Sequence, residues 1–108
     1  VIVTTSETVE GKQIRQHLGL VTGEAILGIV FTKDIFARVR DIFGGRVKGY
    51  EKELFQAMKM ALERMLERSG ELGANAIVGV RFEVEVMSPR GEGTVIMVLC
   101  YGTAVELG

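Results

Sequence analysis

The side chains most able to do chemistry are scarce in this chain, which has one cysteine, Cys100, and one histidine, His17. A nucleophile activated by a neighbouring base would need both, so a single Cys–His pair is the one such constellation available. Cys100, however, lies in the apolar run Val95-Ile96-Met97-Val98-Leu99-Cys100-Tyr101, where a thiol behaves as a small hydrophobe, and His17 lies in the polar stretch Arg15-Gln16-His17. The residues therefore read as a non-enzymatic chain with no catalytic side chain. Metal binding meets the same shortage, since no Cys-x-x-Cys or His-x-x-x-His spacing occurs. One His or Cys per chain could be multiplied about the axis of a symmetric ring, but the sequence names no metal ligand and no cofactor. Glu83 and Glu85 alternate with Arg81 on one side of a strand, so solvation or ion pairing is expected there before a hard-cation site. Gly44-Gly45-Arg46 could cradle an anion on backbone N–H groups. It lacks the full P-loop spacing, and a helix-to-helix turn is the plainer expectation.

The elements that must position these residues fit one domain, 1–108. The chain is 47% apolar and 25% charged, with 13 Lys+Arg against 14 Asp+Glu and a net charge of −1. That balance removes the basic footprint of a nucleic-acid binder. A chain of this length buries roughly two-thirds of its unfolded surface and can hold a core without disulfides. No apolar run approaches the ~18 residues of a membrane span, and residues 1–5 show no basic region leading into an apolar one, so a cytoplasmic protein without membrane contact is expected.

Residues 1–5 are β-branched throughout and read as a first strand. Residues 13–27 mix apolar side chains with Gly19 and Gly23, and Gly28 follows, which suggests an extended strand bent by glycines. A short helix begins at the N-cap Thr32, with Phe31 and Phe36 spaced as a hydrophobic staple and Gly44-Gly45 as its stop. A long helix runs from about 50 to 72. At ~100° per residue its core face carries Tyr50, Leu54, Ala57, Met58, Ala61, Met65, Ser69 and Leu72, with Lys52, Gln56, Lys59, Glu63 and Glu67 opposite. Residues 77–87 alternate, with Val78, Val80, Phe82, Val84 and Val86 on one face and Arg81, Glu83 and Glu85 on the other. After the turn signals of 88–93, residues 95–101 return as the second strand of a hairpin.

Two features ask for more partners than one domain supplies. The returning strand is apolar on both faces, which fits either a doubly covered central strand or a subunit interface. On the long helix, Phe55, Leu62 and Leu66 widen the apolar sector to about half the circumference. Either the short helix packs there or the three form an association patch.

Several segments, in order, resemble the YbjQ family. They are Ile2-Val3-Thr4-Thr5, Val21-Thr22-Gly23-Glu24, Asp34-Ile35-Phe36-Ala37 with Arg40-Asp41-Ile42 and Gly44-Gly45-Arg46, Tyr50-Glu51-Lys52-Glu53-Leu54, Leu72-Gly73-Ala74-Asn75-Ala76 and Gly102-Thr103-Ala104-Val105. The resemblance implies a small α+β subunit, a dodecin-like antiparallel sheet with one long and one short helix on one side, closing into a homo-pentameric ring. It implies no biochemical role. The family carries a heavy-metal-binding label, without a ligand set to transfer. This chain departs from the family at Ile29 and Val30, where a small residue and an asparagine are usual, and near Val47, where a serine is. It departs again at Arg81, an aspartate in relatives, and at Phe55, Met58 and Leu66, where relatives are charged. Most of these changes add apolar surface, as expected of a divergent homologue or of a pentamer whose surface was redesigned to build a larger assembly. The expected partners are copies of the chain itself, with a second protein component as the alternative. The candidate interface is Ile29, Val30, Phe55, Met58, Leu62, Leu66, Val95, Met97, Leu99 and Tyr101, with a small ligand or metal at subunit junctions as a further expectation.

Overall fold

The computed structural model describes residues 1–29, 51–87 and 93–108, with Ile29 described in its backbone only. The side chain of Ile29, Val30, the expected short helix, the Gly44-Gly45-Arg46 loop, Tyr50 and the turn at 88–92 lie outside the described residues. Five elements follow in chain order: β1 (Ile2–Val3), β2 (Ile14–Ile29), α1 (Glu51–Glu71), β3 (Ala76–Met87) and β4 (Thr94–Leu107). The strands form one sheet in the order β1-β3-β4-β2.

The run apolar on both faces becomes the central strand. β4 pairs antiparallel with β2 from Ile14↔Leu107 to Ile29↔Thr94, and with β3 from Ala76↔Val105 to Met87↔Val95. The sheet is α+β as expected but mixed, because β1 runs parallel to β3. The N-terminal segment lies along the outer edge of β3. There the Ile2 amide donates to the Asn75 carbonyl (3.1 Å), the Thr4 amide to Ile77 (3.0 Å), the Val80 amide to Thr4 (3.0 Å) and the Gly79 amide to Ser6 (2.8 Å).

α1 forms where the 3.6-residue apolar period predicts it. Glu51 and Glu53 occupy its first turn and Arg68 its last, as the helix dipole favours. Gly73, at φ 80°, closes it: the Gly73 amide donates to Gly70 and the Ala74 amide to Ser69, the two bonds of a Schellman motif. Ala57, Ala61, Met65 and Ser69 are buried against β2 and β4. Leu72, expected on that face, is 46% exposed, since the helix has ended and the chain is turning toward β3. Leu62 and Leu66 do not stand out as a patch with Phe55. Both pack partly buried against the core, while Phe55 is 67% exposed.

The main core joins Ala57, Ala61 and Met65 to Val21, Ala25, Ile77, Val80, Ile96, Val98, Cys100 and Ala104. Each large side chain wholly removed from water here, such as Met65, Ile77 or Ile96, contributes roughly 1.5–3 kcal/mol. A second, smaller cluster lies on the opposite face: Ala76, Val78, Val105 and Leu107, with Val9 and Ile14 packed on it. The division corrects the simple alternation read from the sequence. A bulge between Val78 and Arg81, with Gly79 at φ 63°, inserts one residue. Ile77 and Val80 consequently share the helix face, and Val78 joins the other cluster.

Beyond the bulge the sheet becomes an arm. Every residue of 81–87 is exposed, although each pairs with β4 or lies beside a residue that does. The radius of gyration is 17.6 Å and the extents are 54 × 24 × 16 Å, against about 13 Å expected for a compact 100-residue domain.

Candidate functional site: the apolar arm and its acidic groove

The arm is three strands wide, β3-β4-β2, and its register sorts its side chains. Phe82, Val84 and Val86 align with Cys100, Val98 and Ile96, and these with Gly23, Ala25 and Leu27, on the face that carries α1. A helix is about 10 Å across and strands lie about 4.8 Å apart, so among the described residues the one helix, seated on β2 and β4, does not cover β3 along the arm. Phe82 is 37%, Val84 45% and Val86 44% exposed, whereas Val98 and Ile96 beside them are buried. Antiparallel alternation also turns the backbone N–H and C=O groups of Phe82, Val84 and Val86 away from β4, toward an edge that β1 no longer covers.

The opposite face carries three aligned rows: Thr22, Tyr101 and Arg81; Glu24, Leu99 and Glu83; Ile26, Met97 and Glu85. They shape a groove of about 530 Å³ with Ile26, Met97 and Leu99 as its floor and Glu24, Glu83 and Glu85 at its sides. Glu83 and Glu85, expected to be solvated or ion-paired, are both exposed, and Arg81 does not pair with them. Arg81 turns back and donates to the carbonyls of Thr5 (3.0 Å) and Val80 (2.9 Å), pinning the N-terminal segment at the bulge. Among the described residues Glu83 has the Tyr101 hydroxyl alone, at 3.5 Å, and no cation lies in ion-pair range of Glu83 or Glu85.

Glu24 is held differently. Arg68 reaches round the edge of β2 and binds its carboxylate in two-pronged fashion, Nη1 to Oε2 at 2.7 Å and Nη2 to Oε1 at 2.9 Å, and also donates to the Thr22 carbonyl at 3.0 Å. Arg64, one turn earlier, donates to the Glu24 carbonyl at 2.6 Å. The two arginines occupy edge carbonyls that would otherwise invite a further strand. The Arg68 hydrogen bonds hold the Glu24 carboxyl below its ordinary value, and the same contact raises Arg68.

The thiol and the imidazole are not brought together. Cys100 is buried under α1, in register with Gly23, and burial pushes its pKa up. His17 aligns with Val105, on the other face and well along β2, and is exposed. Among the described residues no three of His, Cys, Asp and Glu are grouped to hold a metal ion. The described donors, a buried thiol, a distant imidazole and separated carboxylates, are not gathered as a heavy-metal centre requires.

Of the residues expected at an interface, Leu99 and Phe55 are exposed, Val95, Met97 and Tyr101 half-buried on the groove face, and Met58, Leu62 and Leu66 half-buried against the core. The sequence reading missed Phe82, Val84, Val86, Met87 and Ile26, all exposed on the arm. Their alternation signals a covered face, and only the width of one helix against three strands shows that the cover stops short.

The whole chain, residues 1–108, matches the YbjQ_1 family model, described as "Putative heavy-metal-binding". Proteins named UPF0145 protein are similar to it: one from Persephonella marina is 43% identical over 96% of both chains, and one from Listeria ivanovii 46% identical over 98% of this chain and 94% of that one. A crystal structure of a protein of unknown function of the DUF74 family, from Pediococcus pentosaceus, superposes with a TM-score of 0.72 at 18% identity, covering 100% of this chain and 98% of that one. At that identity the likeness is one of fold. Among the described residues no helix is long and apolar enough to cross a membrane.

Proposed function

This chain belongs to the YbjQ_1 family, and we propose that it works as a non-enzymatic, ring-forming subunit whose arm is completed by other copies of itself. The observation that carries the reading is the β3 half of the arm, where Phe82, Val84 and Val86 are each more than a third exposed beside a strand edge that no other described strand pairs with. Covering half-exposed side chains of this size yields roughly 1 kcal/mol apiece, and satisfying the edge adds directional hydrogen bonds. A surface offered by one strand and taken up by a different surface on the next copy is a head-to-tail contact, which closes into a ring when the rotation from copy to copy divides a full turn. Five copies is the number the family resemblance implies. The described residues of one copy gather no metal-binding group, so a ligand at the junctions would draw on residues of two copies.

Light scattering at micromolar concentration tests the reading. Five times the subunit mass is expected, and Val84→Lys with Val86→Lys, on the exposed arm, lowers that mass. A dispersed wild-type monomer would overturn it. Phe55 favours a second reading, in which the ring builds a larger assembly through added apolar surface, because its exposure lies on the helix, away from the arm.

A further inference from the structure

We infer that Phe55 of one copy seats in the groove on the far face of the sheet of a second copy, with Lys52 and Lys59 set beside Glu83 and Glu85. The proposal rests on the reading that copies associate, and it names two surfaces that meet. The groove defines its occupant by chemistry. Its floor of Ile26, Met97 and Leu99 is apolar, with Ile26 63% and Leu99 38% exposed. Its β3 side carries two carboxylates that no cation among the described residues pairs with, while the carboxylate on its β2 side, Glu24, is already neutralised by Arg68. The occupant must be apolar at its centre and cationic at its flank.

α1 displays that combination. Phe55 is the most exposed of its large apolar residues, and Lys52 and Lys59, both exposed, stand three residues before and four after it on the same side of the helix. Glu51 is the acidic neighbour in that turn, and at the helix N-terminus the dipole offsets its charge. The dimensions agree. The two lysines are separated by about 10.5 Å along the helix axis and the two glutamates by about 7 Å along the strand, a difference that flexible four-carbon stems close while covering apolar surface themselves. Phe55 cannot reach the groove of its own chain, because α1 packs on the opposite face of the sheet. The contact therefore joins unlike surfaces of two copies, and it propagates.

Zero-length carbodiimide coupling, read by peptide mass spectrometry on a mixture of isotopically labelled and unlabelled protein, tests this together with light scattering. Expected are amide cross-links between Lys52 or Lys59 of one copy and Glu83 or Glu85 of another. Phe55→Asp should raise the concentration at which copies associate roughly ten- to a hundredfold. Lys52→Glu with Lys59→Glu, and separately Glu83→Lys with Glu85→Lys, should each weaken association, and all four substitutions in one chain should restore it. The substituted side chains are exposed, and recovery in the fourfold variant shows that neither pair acts by unfolding. An associated wild type that gives no such cross-link and keeps its mass in Phe55→Asp overturns the docking and leaves the ring reading standing. A wild-type monomer at micromolar concentration removes both.

Discussion

Gly23 on β2 lies directly beneath the carbonyl oxygen of Ala61 on α1. A methyl group built on it would run into that oxygen and approach the Met65 amide nitrogen to 2.7 Å. The helix can rest on the strand at this depth only because position 23 has no side chain, and Ala57 and Ala61 extend the same close approach along α1. Gly23→Ala is expected to push the helix off the sheet and lower stability by about 1–3 kcal/mol, measured as a fall in the urea midpoint. The same substitution at Gly28, where the added methyl meets nothing within 4 Å, should cost far less.

Asn75 extends the β3–β4 ladder with its side chain. Its amide nitrogen donates to the Leu107 carbonyl at 3.1 Å and its oxygen accepts from the Leu107 amide at 2.7 Å. Asn75→Ala should leave the largely buried Leu107 amide without its partner and cost about 1–3 kcal/mol by denaturant titration. Asn75→Asp keeps the acceptor and loses the donor, so it should fall between wild type and alanine near neutral pH.

The Glu24 carboxyl sits below its ordinary value because of Arg68. A lowered folded-state pKa means the unfolded chain takes up the proton first, so the contact supports the fold above the carboxylate range and is lost as pH falls through it, below about 4. Glu24→Gln should reduce stability modestly at pH 7 and flatten its acid limb, with the two proteins converging near pH 2 in urea midpoints. An unchanged acid limb would show that the exposed pair carries no linkage.

Burial and a raised pKa keep Cys100 in its thiol form at neutral pH. Ellman's reagent should therefore react with the folded protein far more slowly than with protein in 6 M guanidinium (about a full equivalent within minutes there), and the native rate should follow the frequency of opening rather than reagent concentration.

Much of this arrangement is readable in the residues, for identifiable reasons. The period of α1 announces its buried face, and Gly73 its end, because both are local properties of the chain. The strand following Pro89, apolar on both sides, marks its place at the centre of the sheet. Other features depend on partners distant in sequence. Val78-Gly79-Val80 reads as uninterrupted alternation, and the bulge there is fixed by Ser6 and Thr4, which take up the Gly79 and Val80 amides from outside the strand. Gly23 reads as a bend, yet its role is set by Ala61, 38 positions away. Sharing a face with Arg81, Glu83 and Glu85 read as solvated or ion-paired; the carbonyl of Thr5 claims Arg81, and among the described residues no cation takes its place. The short parallel strand β1 has no signal of its own beyond its β-branched residues.

β4 sits in the middle of the sheet and comes last in the chain among its strands. Its partners on β2 are roughly 65 to 93 residues away, from Ile29↔Thr94 to Ile14↔Leu107. Among the described residues β2 and β3 are joined only through β4, so α1 can settle on β2 and β1 on β3, but the sheet closes only by this slow, long-range pairing. Until β4 docks, the valine-rich β3 is open to mispairing, and the charges of Glu83 and Glu85 interrupt its apolar run.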